Sequence, residues 1–328
     1  MYTIKNKHNK NVRKEEGIMY KYLYIYNYEP REQALCEMEF KRIFHTDMTS
    51  KYFLTNQYFD YCRSVYIRGR LDIIASSCDI NEVIQTIEEQ HLYYLDFKVI
   101  YLKNEITHVH YQTAMEYCKK LAFPIDGSVN MQKPQTVFAL TKLQEQWYFG
   151  IYHDESVWNL RSHKPHSYSH SLNIRDARTA VNIAIGNDLS LKVVDPCCGV
   201  GTVVLEALSM GIDIEGYDIN RYVSYQARLN LEYFGYDPLK IQKKDMLKIE
   251  KTYDVAIMDI PYGVYSPFTY QQQQELLQKS YFLAHQLVLI SHIDMNKELE
   301  RIGYEIIDQA SIMKGNFKRY VTFCRKVI

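Results

Sequence analysis

The stretch Val193-Val194-Asp195-Pro196-Cys197-Cys198-Gly199-Val200-Gly201-Thr202 decides how the chain is read. A short apolar run ends on a carboxylate, passes through a glycine-rich turn and opens into residues with helical spacing. A buried strand feeding such a turn brings backbone close to a ligand at the carboxyl end of a sheet, where open α/β sheets bind their ligands. A glycine pair alone is a weak sign, because G-x-G turns also serve NAD sites and plain structural turns.

The next run outward, Ile212-Asp213-Ile214-Glu215-Gly216-Tyr217-Asp218, reads as a strand ending in an acidic residue seventeen positions after Gly201. A carboxylate there can accept hydrogen bonds from both ribose hydroxyls of an adenosine ligand, or it can cap the helix that starts near Asn220. Asp245, with Met246 beside it, follows a weak strand over 240–242 and reads equally as a partner for the exocyclic amine of an adenine or as a surface turn residue. The cofactor-binding candidates are thus Asp195, Pro196, Gly199, Gly201, Thr202, Asp218, Asn220, Asp245 and Met246.

After a strand over 253–258 comes Met258-Asp259-Ile260-Pro261-Tyr262-Gly263. Together the segments resemble the class I S-adenosylmethionine-dependent methyltransferases that act on exocyclic amines, whose motif has the form Asp/Asn-Pro-Pro-Tyr/Phe. Among these the pattern is similar to the THUMP-associated RNA methyltransferases that make N2-methylguanosine in tRNA. Ser171-Leu172, Arg175-Asp176-Ala177-Arg178, Asn182-Ile183-Ala184 and the hairpin end Trp147-Tyr148-Phe149-Gly150 support it. The resemblance runs from about Met19 and is specific over 166–263.

What the resemblance implies is a catalytic set of Asp259, Ile260, Pro261 and Tyr262, with S-adenosylmethionine as methyl donor and S-adenosylhomocysteine as product. Asp259 and the carbonyl of Ile260 would accept the two N–H bonds of the target amine, and Tyr262 would stack on the base. An exocyclic amine is a poor nucleophile because its lone pair is delocalised into the ring, so orientation is the main task of such a site. Ile260 stands where the commonest pattern has its first proline. It keeps the carbonyl and loses the fixed φ.

The rest of the chain fills in a two-part protein. Residues 1–18 are polar and aperiodic and read as a disordered extension, with Met19 an alternative start. Strands over 20–28, 52–54, 65–75 and 93–102, with helices over 32–44 and after Asp79, follow the β-α-β-β-α-β ferredoxin-like order. A helix over 108–121, a loop over 124–134 and a hairpin over 137–143 and 146–152 complete a partial THUMP-like RNA-binding region spanning 19–160. The junction is expected within 156–171, where His163, Pro165, His166 and His170 break the periodicity. Downstream, helices over 175–185, 202–210 and 221–233 alternate with short apolar strands. The fold class expected for 161–328 is therefore α/β, a Rossmann-like methyltransferase domain with a mostly parallel seven-stranded sheet.

Composition fits two domains: 328 residues, 47% hydrophobic and 24% charged, which excludes a disordered chain. Lys+Arg and Asp+Glu both number 39, so no global positive field draws in a polyanion and any RNA surface must be local. With no apolar run long enough to span a bilayer and no apolar stretch like a signal peptide's, no membrane is expected as a partner and the compartment expected is the cytoplasm. The seven cysteines lack Cys-x-x-Cys spacing, and the loop histidines lack acidic or cysteine partners, so neither a disulfide framework nor a metal site is expected. Adjacent Cys197 and Cys198 read as small packing residues, and Lys314, Lys318 and Arg319 as a solvated face. The expected partner is RNA, a tRNA by the resemblance. Two rivals stay open: the same chemistry on a DNA adenine or a protein glutamine, and a non-catalytic RNA-binding scaffold.

Overall fold

The computed structural model describes residues 20–154, 163–167, 172–261, 269–314 and 317–327. The expected extension over 1–18 and most of the expected junction lie outside them.

The element order upstream is β1 (Tyr22–Tyr26), α1 (Gln33–Phe44), β2 (Tyr52–Thr55), β3 (Ile67–Ser77), α2 (Ile80–Gln90), β4 (Tyr93–Tyr101), α3 (Tyr111–Ala122), β5 (Asp126–Val129), β6 (Thr136–Leu143) and β7 (Gln146–His153). Then follow α4 (Ile174–Ile185), β8 (Val193–Asp195), α5 (Thr202–Ser209), β9 (Ile214–Asp218), α6 (Arg221–Tyr233), β10 (Ile241–Lys243) and β11 (Tyr253–Asp259). The chain ends with α7 (Tyr270–Leu283), β12 (Ala284–Ser291), α8 (Asn296–Ile302), β13 (Tyr304–Lys314) and β14 (Phe317–Lys326). The chain divides into two compact units, one built mainly on residues 72–151, the other on 23–53, 57–71 and the described residues from 152 onward.

In the first unit, β4 pairs in parallel with β5 and β6, and β6 pairs antiparallel with β7. Asp79 caps α2 by accepting the Asn81 N–H at 2.9 Å, which leaves Ile80, Val83 and Ile87 to pack on Phe97, Phe138 and Phe149. β5 lies within the segment expected as a loop. Its sequence, Asp-Gly-Ser-Val, is exposed throughout and has no alternation, so only its pairing with β4 makes it a strand.

The second unit holds a sheet of seven strands in the order β10-β9-β8-β11-β12-β14-β13. β10, β9, β8, β11 and β12 run parallel, while β14 is antiparallel to both its neighbours. Alternate residues feed the two faces: Val255, Ile257, Val288 and Ile290 pack with α4, α5 and α6, whereas Ala256, Met258, Leu287 and Leu289 pack with α7 and α8. Strands covered on both sides carry no polar face, which is why their sequences are continuous apolar runs.

One helix of the upstream region belongs to this core. Leu35 and Met38 of α1 join the cluster around α4, Arg42 donates from Nε to the Ile183 carbonyl at 2.8 Å, and its guanidinium lies 4.0 Å from the Phe323 ring centre. A buried polar network ties the same layer together. Asn182 donates to Glu39 at 2.7 Å and to the Arg63 carbonyl at 2.9 Å, Arg63 donates back to Asn182 at 3.1 Å, and Ser64 donates to Glu39 at 2.5 Å. Burial holds the Glu39 carboxyl up at about 7 against these hydrogen bonds. Arg178 meets Glu206 at 2.7 Å with both side chains buried. Much of the Arg175–Ala184 signature is thus structural.

Candidate active site

Between β8 and β11 the strand order reverses, which makes the carboxyl ends of these two strands the place where an α/β sheet opens a crevice. Asp195 closes β8, Asp218 closes β9 and Asp259 closes β11, so three carboxylates stand along one edge. Asp245 follows β10 on the same edge, one strand beyond Asp218, whose carbonyl accepts the Lys244 N–H at 3.0 Å. The four carboxyls converge on the glycine loop. The Cys197 thiol is held well above its ordinary range by burial first, and then by Asp195, Asp218, Asp259 and Asp245.

The loop is pinned from several sides. Cys198 donates its N–H to the Tyr217 carbonyl at 2.8 Å, and Cys197 donates to Asp195 Oδ1 at 3.3 Å. Asp218 receives the Gly199 N–H on Oδ2 at 3.0 Å and the Asn220 N–H on Oδ1 at 2.8 Å, joining the ends of β8 and β9 through one carboxylate. Each oxygen has spent one acceptor position and retains another. Gly201 has φ +80° and caps α5; a Cβ there would come within 2.9 Å of Ile241 and 3.2 Å of Ala227. Gly216, which the sequence did not single out, lets Cys198 and Val204 close over β9, since a Cβ would lie 2.8 Å from Val204 and 3.1 Å from Cys198.

The remaining cofactor candidates fall into place around this loop in different ways. Pro196 is buried behind it. Met246 is buried with its sulfur 3.9 Å from that of Cys197. Asp245 caps the turn over 246–248 by accepting the Leu247 N–H at 3.0 Å. Asn220 spends its side-chain oxygen on the N–H groups of Tyr222 and Val223, capping α6. Thr202 is buried, and its hydroxyl accepts a hydrogen bond from Lys164. Cys198 is buried and Cys197 half-buried, in keeping with packing roles, and all seven cysteines are free.

At the end of β11, Asp259 is strongly perturbed by its surroundings. Burial pushes its carboxyl up to about 7, with Asp176 adding to the rise and Arg319 opposing it. Its Oδ1 is sealed from solvent and has no hydrogen-bond partner among the described residues. A buried acceptor left without a donor is costly unless a ligand supplies one. Next to it, Ile260 donates its N–H to the Ile290 carbonyl at 3.0 Å, extending the ladder between β11 and β12 by one residue. Proline could not make that bond. What the isoleucine loses in fixed φ it regains as a hydrogen bond. The Pro261 carbonyl accepts from Gln273 Nε2 of α7 at 2.9 Å, so the strand end is also held from the far side. Tyr262 lies outside the described residues.

The structure corrects one reading. Arg319 is buried, 3.9 Å from Asp176, and its charge bears on Asp259, so it is no part of a solvated face. Lys318 is exposed. Alternation along β14, with Arg319, Val321 and Phe323 on one side, was the signal that could have found it. Sequence reading also passed over Lys164, Asn230 and Gln273. A buried asparagine beside Ala227 and Leu231 on one helix was the available clue for the second. Beyond Asp176, a cleft of about 740 Å³ opens within the same unit, lined among others by Tyr28, Arg31, Arg68, Asn173 and Arg175.

The strand order, the glycine loop at the switch point and the carboxylates at the ends of β8, β9 and β11 define a class I, Rossmann-like methyltransferase domain. Residues 161–281 match the family model described as RMKL-like, methyltransferase domain. The chain is similar to the tRNA (guanine(10)-N2)-dimethyltransferase of Methanothermobacter thermautotrophicus, 26% identical over 48% of this chain and 48% of that protein. It is also similar to the protein of the same name from Pyrococcus abyssi, 27% identical over 55% of this chain and 58% of that one. The chain thus spans about half the length of these relatives. Among solved structures, TrmN from Thermus thermophilus aligns over 93% of this chain and 99% of its own, at 13% identity and a TM-score of 0.47. No helix among the described residues is long and apolar enough to cross a membrane.

Proposed function

We propose that the protein methylates an exocyclic amine of an RNA base, N2 of a guanosine in tRNA, using S-adenosylmethionine. The observation that carries this reading is the sealed Oδ1 of Asp259, without a hydrogen-bond partner among the described residues, beside the anchored Ile260, an acceptor pair suited to a planar amine. The names of the two tRNA (guanine(10)-N2)-dimethyltransferases support guanosine as the base and tRNA as its carrier.

The residues present fit the cofactor. Asp218 has one acceptor position left on each oxygen for a ribose diol. Asp195, Asp218 and Asp259 line one edge with carboxyls that burial holds above the ordinary range, and a ligand that carries a sulfonium and an ammonium favours their ionised forms. When bound, S-adenosylmethionine supplies an electrophilic methyl group. Asp259 and the Ile260 carbonyl orient the amine so that its lone pair faces that carbon. Asp259 would take the proton that the nitrogen sheds on receiving the methyl group. Tyr262 stacks on the base. The base must leave its stack to reach this edge, and the cleft lined by Tyr28, Arg31 and Arg68 offers ring and guanidinium surfaces for the flanking RNA.

Nucleoside mass spectrometry tests this. Small RNAs from a strain lacking the gene are analysed before and after incubation with the protein and S-adenosylmethionine. A missing N2-methylguanosine that returns supports the reading; an unchanged RNA profile, with methyl found instead on DNA or protein, replaces it. Two further outcomes are expected. Asp218→Ala should weaken cofactor binding about 10–100-fold by calorimetry, the usual weight of hydrogen bonds to a charged group. With Asp259 titrating near 7, affinity for the cationic cofactor should rise between pH 6 and pH 8, as the carboxylate ionises. Affinity for the uncharged sulfur of S-adenosylhomocysteine should rise less, and equal slopes for both would count against a charge on Asp259.

A further inference from the structure

The segment 163–167 is tied to the glycine loop by a single buried side chain. Asn230, on α6, accepts the His166 N–H at 2.9 Å, donates to the His166 carbonyl at 2.9 Å and donates to the Val200 carbonyl at 2.9 Å. Its amide is spent entirely on holding two backbone segments together. The residue this clamp delivers is Lys164, whose ammonium donates to the Thr202 hydroxyl in the first turn of α5.

That is an unfavourable place for a cation. The amino end of a helix carries partial positive charge, and Lys164 is half-buried there with a hydroxyl for its partner. The carboxylate that bears on it, Glu206, is already held by Arg178 at 2.7 Å. Burial draws the ammonium down to about 8, Glu206 opposing, so it still carries its proton at neutral pH. An ammonium has three donors, and the Thr202 hydroxyl takes one.

Resting on the S-adenosylmethionine reading, we infer that Lys164 binds the carboxylate of the cofactor's amino-acid group. The charges around the loop match a zwitterion. Asp195, buried at the end of β8, stands for the ammonium and sulfonium, and Lys164, at the start of α5, stands for the carboxylate. Without an arriving anion the clamp would bury a cation to no purpose; with one, the helix end and the lysine act on the same group.

Decarboxylated S-adenosylmethionine, which keeps the sulfonium and the amine, isolates the contact. Titration calorimetry on the full chain is expected to give wild-type protein about 10–100-fold tighter binding of S-adenosylmethionine than of the decarboxylated analogue. Lys164→Met, which keeps the apolar stem, should erase that preference by weakening only the carboxylated ligand, and Lys164→Arg should restore part of it. Equal weakening of both ligands by Lys164→Met, or a wild-type protein indifferent to the carboxylate, overturns the inference. The wild-type comparison needs no variant to fold. A wild-type protein that binds neither ligand overturns the cofactor reading itself, a result distinct from the loss of the lysine contact alone.

Discussion

Asp259→Asn is expected to lower methyl transfer by about 10²–10³-fold at saturating cofactor, the usual weight of one preorganised polar contact to the reacting group, while cofactor binding weakens only by the share that the Asp259 charge contributes. The asparagine keeps the shape but can turn an NH2 towards the amine it should receive. The same variant has a second, independent readout in stability. Burial raises the Asp259 carboxyl to about 7 from an ordinary value of 3.8. A carboxyl raised on folding contributes its full share below about pH 4 and loses it as pH rises through 7, where the charge must be buried. The wild-type protein should therefore lose stability relative to Asp259→Asn between pH 4 and 7, by on the order of 2–4 kcal/mol, and the difference should level off above that. Glu39, also held near 7, adds the same slope to both proteins and cancels in the comparison. Thermal melts of the two proteins from pH 5 to 8 measure it. Retained activity in the asparagine variant would remove Asp259 from the chemistry, and parallel melting curves would remove its buried charge.

Arg178→Ala is expected to cost about 3–5 kcal/mol, because it leaves Glu206 charged and fully buried. Arg178 does more than pair with that carboxylate. It donates to the Ser209 hydroxyl at 3.0 Å and to the Cys62 carbonyl at 2.7 Å, so one guanidinium joins α4, α5 and the turn ahead of β3. The loss should appear as a fall in melting temperature on the order of 10 °C. Replacing both partners by apolar residues, Arg178→Met with Glu206→Leu, should recover much of it, since the penalty lies in the abandoned charge more than in the missing pair. A double variant as unstable as the single one would mean that the contacts to Ser209 and Cys62 outweigh the ion pair.

The parallel strands were legible because each is covered on both faces and so spells an uninterrupted apolar run, as in Val255 to Met258. The edge carboxylates were legible because a strand end is a fixed place for a ligand. β5 was not, since Asp-Gly-Ser-Val borrows its conformation from a neighbour and buries nothing. Nor was the way α1 joins the core around α4: Leu35 and Met38 declare an apolar face without saying which core receives it. Arg319 was misread because a charge beside Lys318 looks like a solvated run unless the alternation of its strand is counted first. Lys164 and Gln273 depend on partners 38 and 12 positions away, and nothing in their own neighbourhoods announces them.

The row of carboxyls at the strand ends bears on turnover. Burial, and for Asp195 the neighbouring Asp259 and Asp218, holds these carboxyls up while the site is empty of cations, and an incoming sulfonium favours their ionised forms. On the proposed chemistry the positive charge leaves the sulfur together with the methyl group. The spent cofactor then sits among carboxylates that no longer attract its sulfur, and the reaction itself weakens the grip on its product. Charge thus favours exchange of spent cofactor for fresh, and product inhibition should be weaker at a pH where Asp259 is ionised than below it.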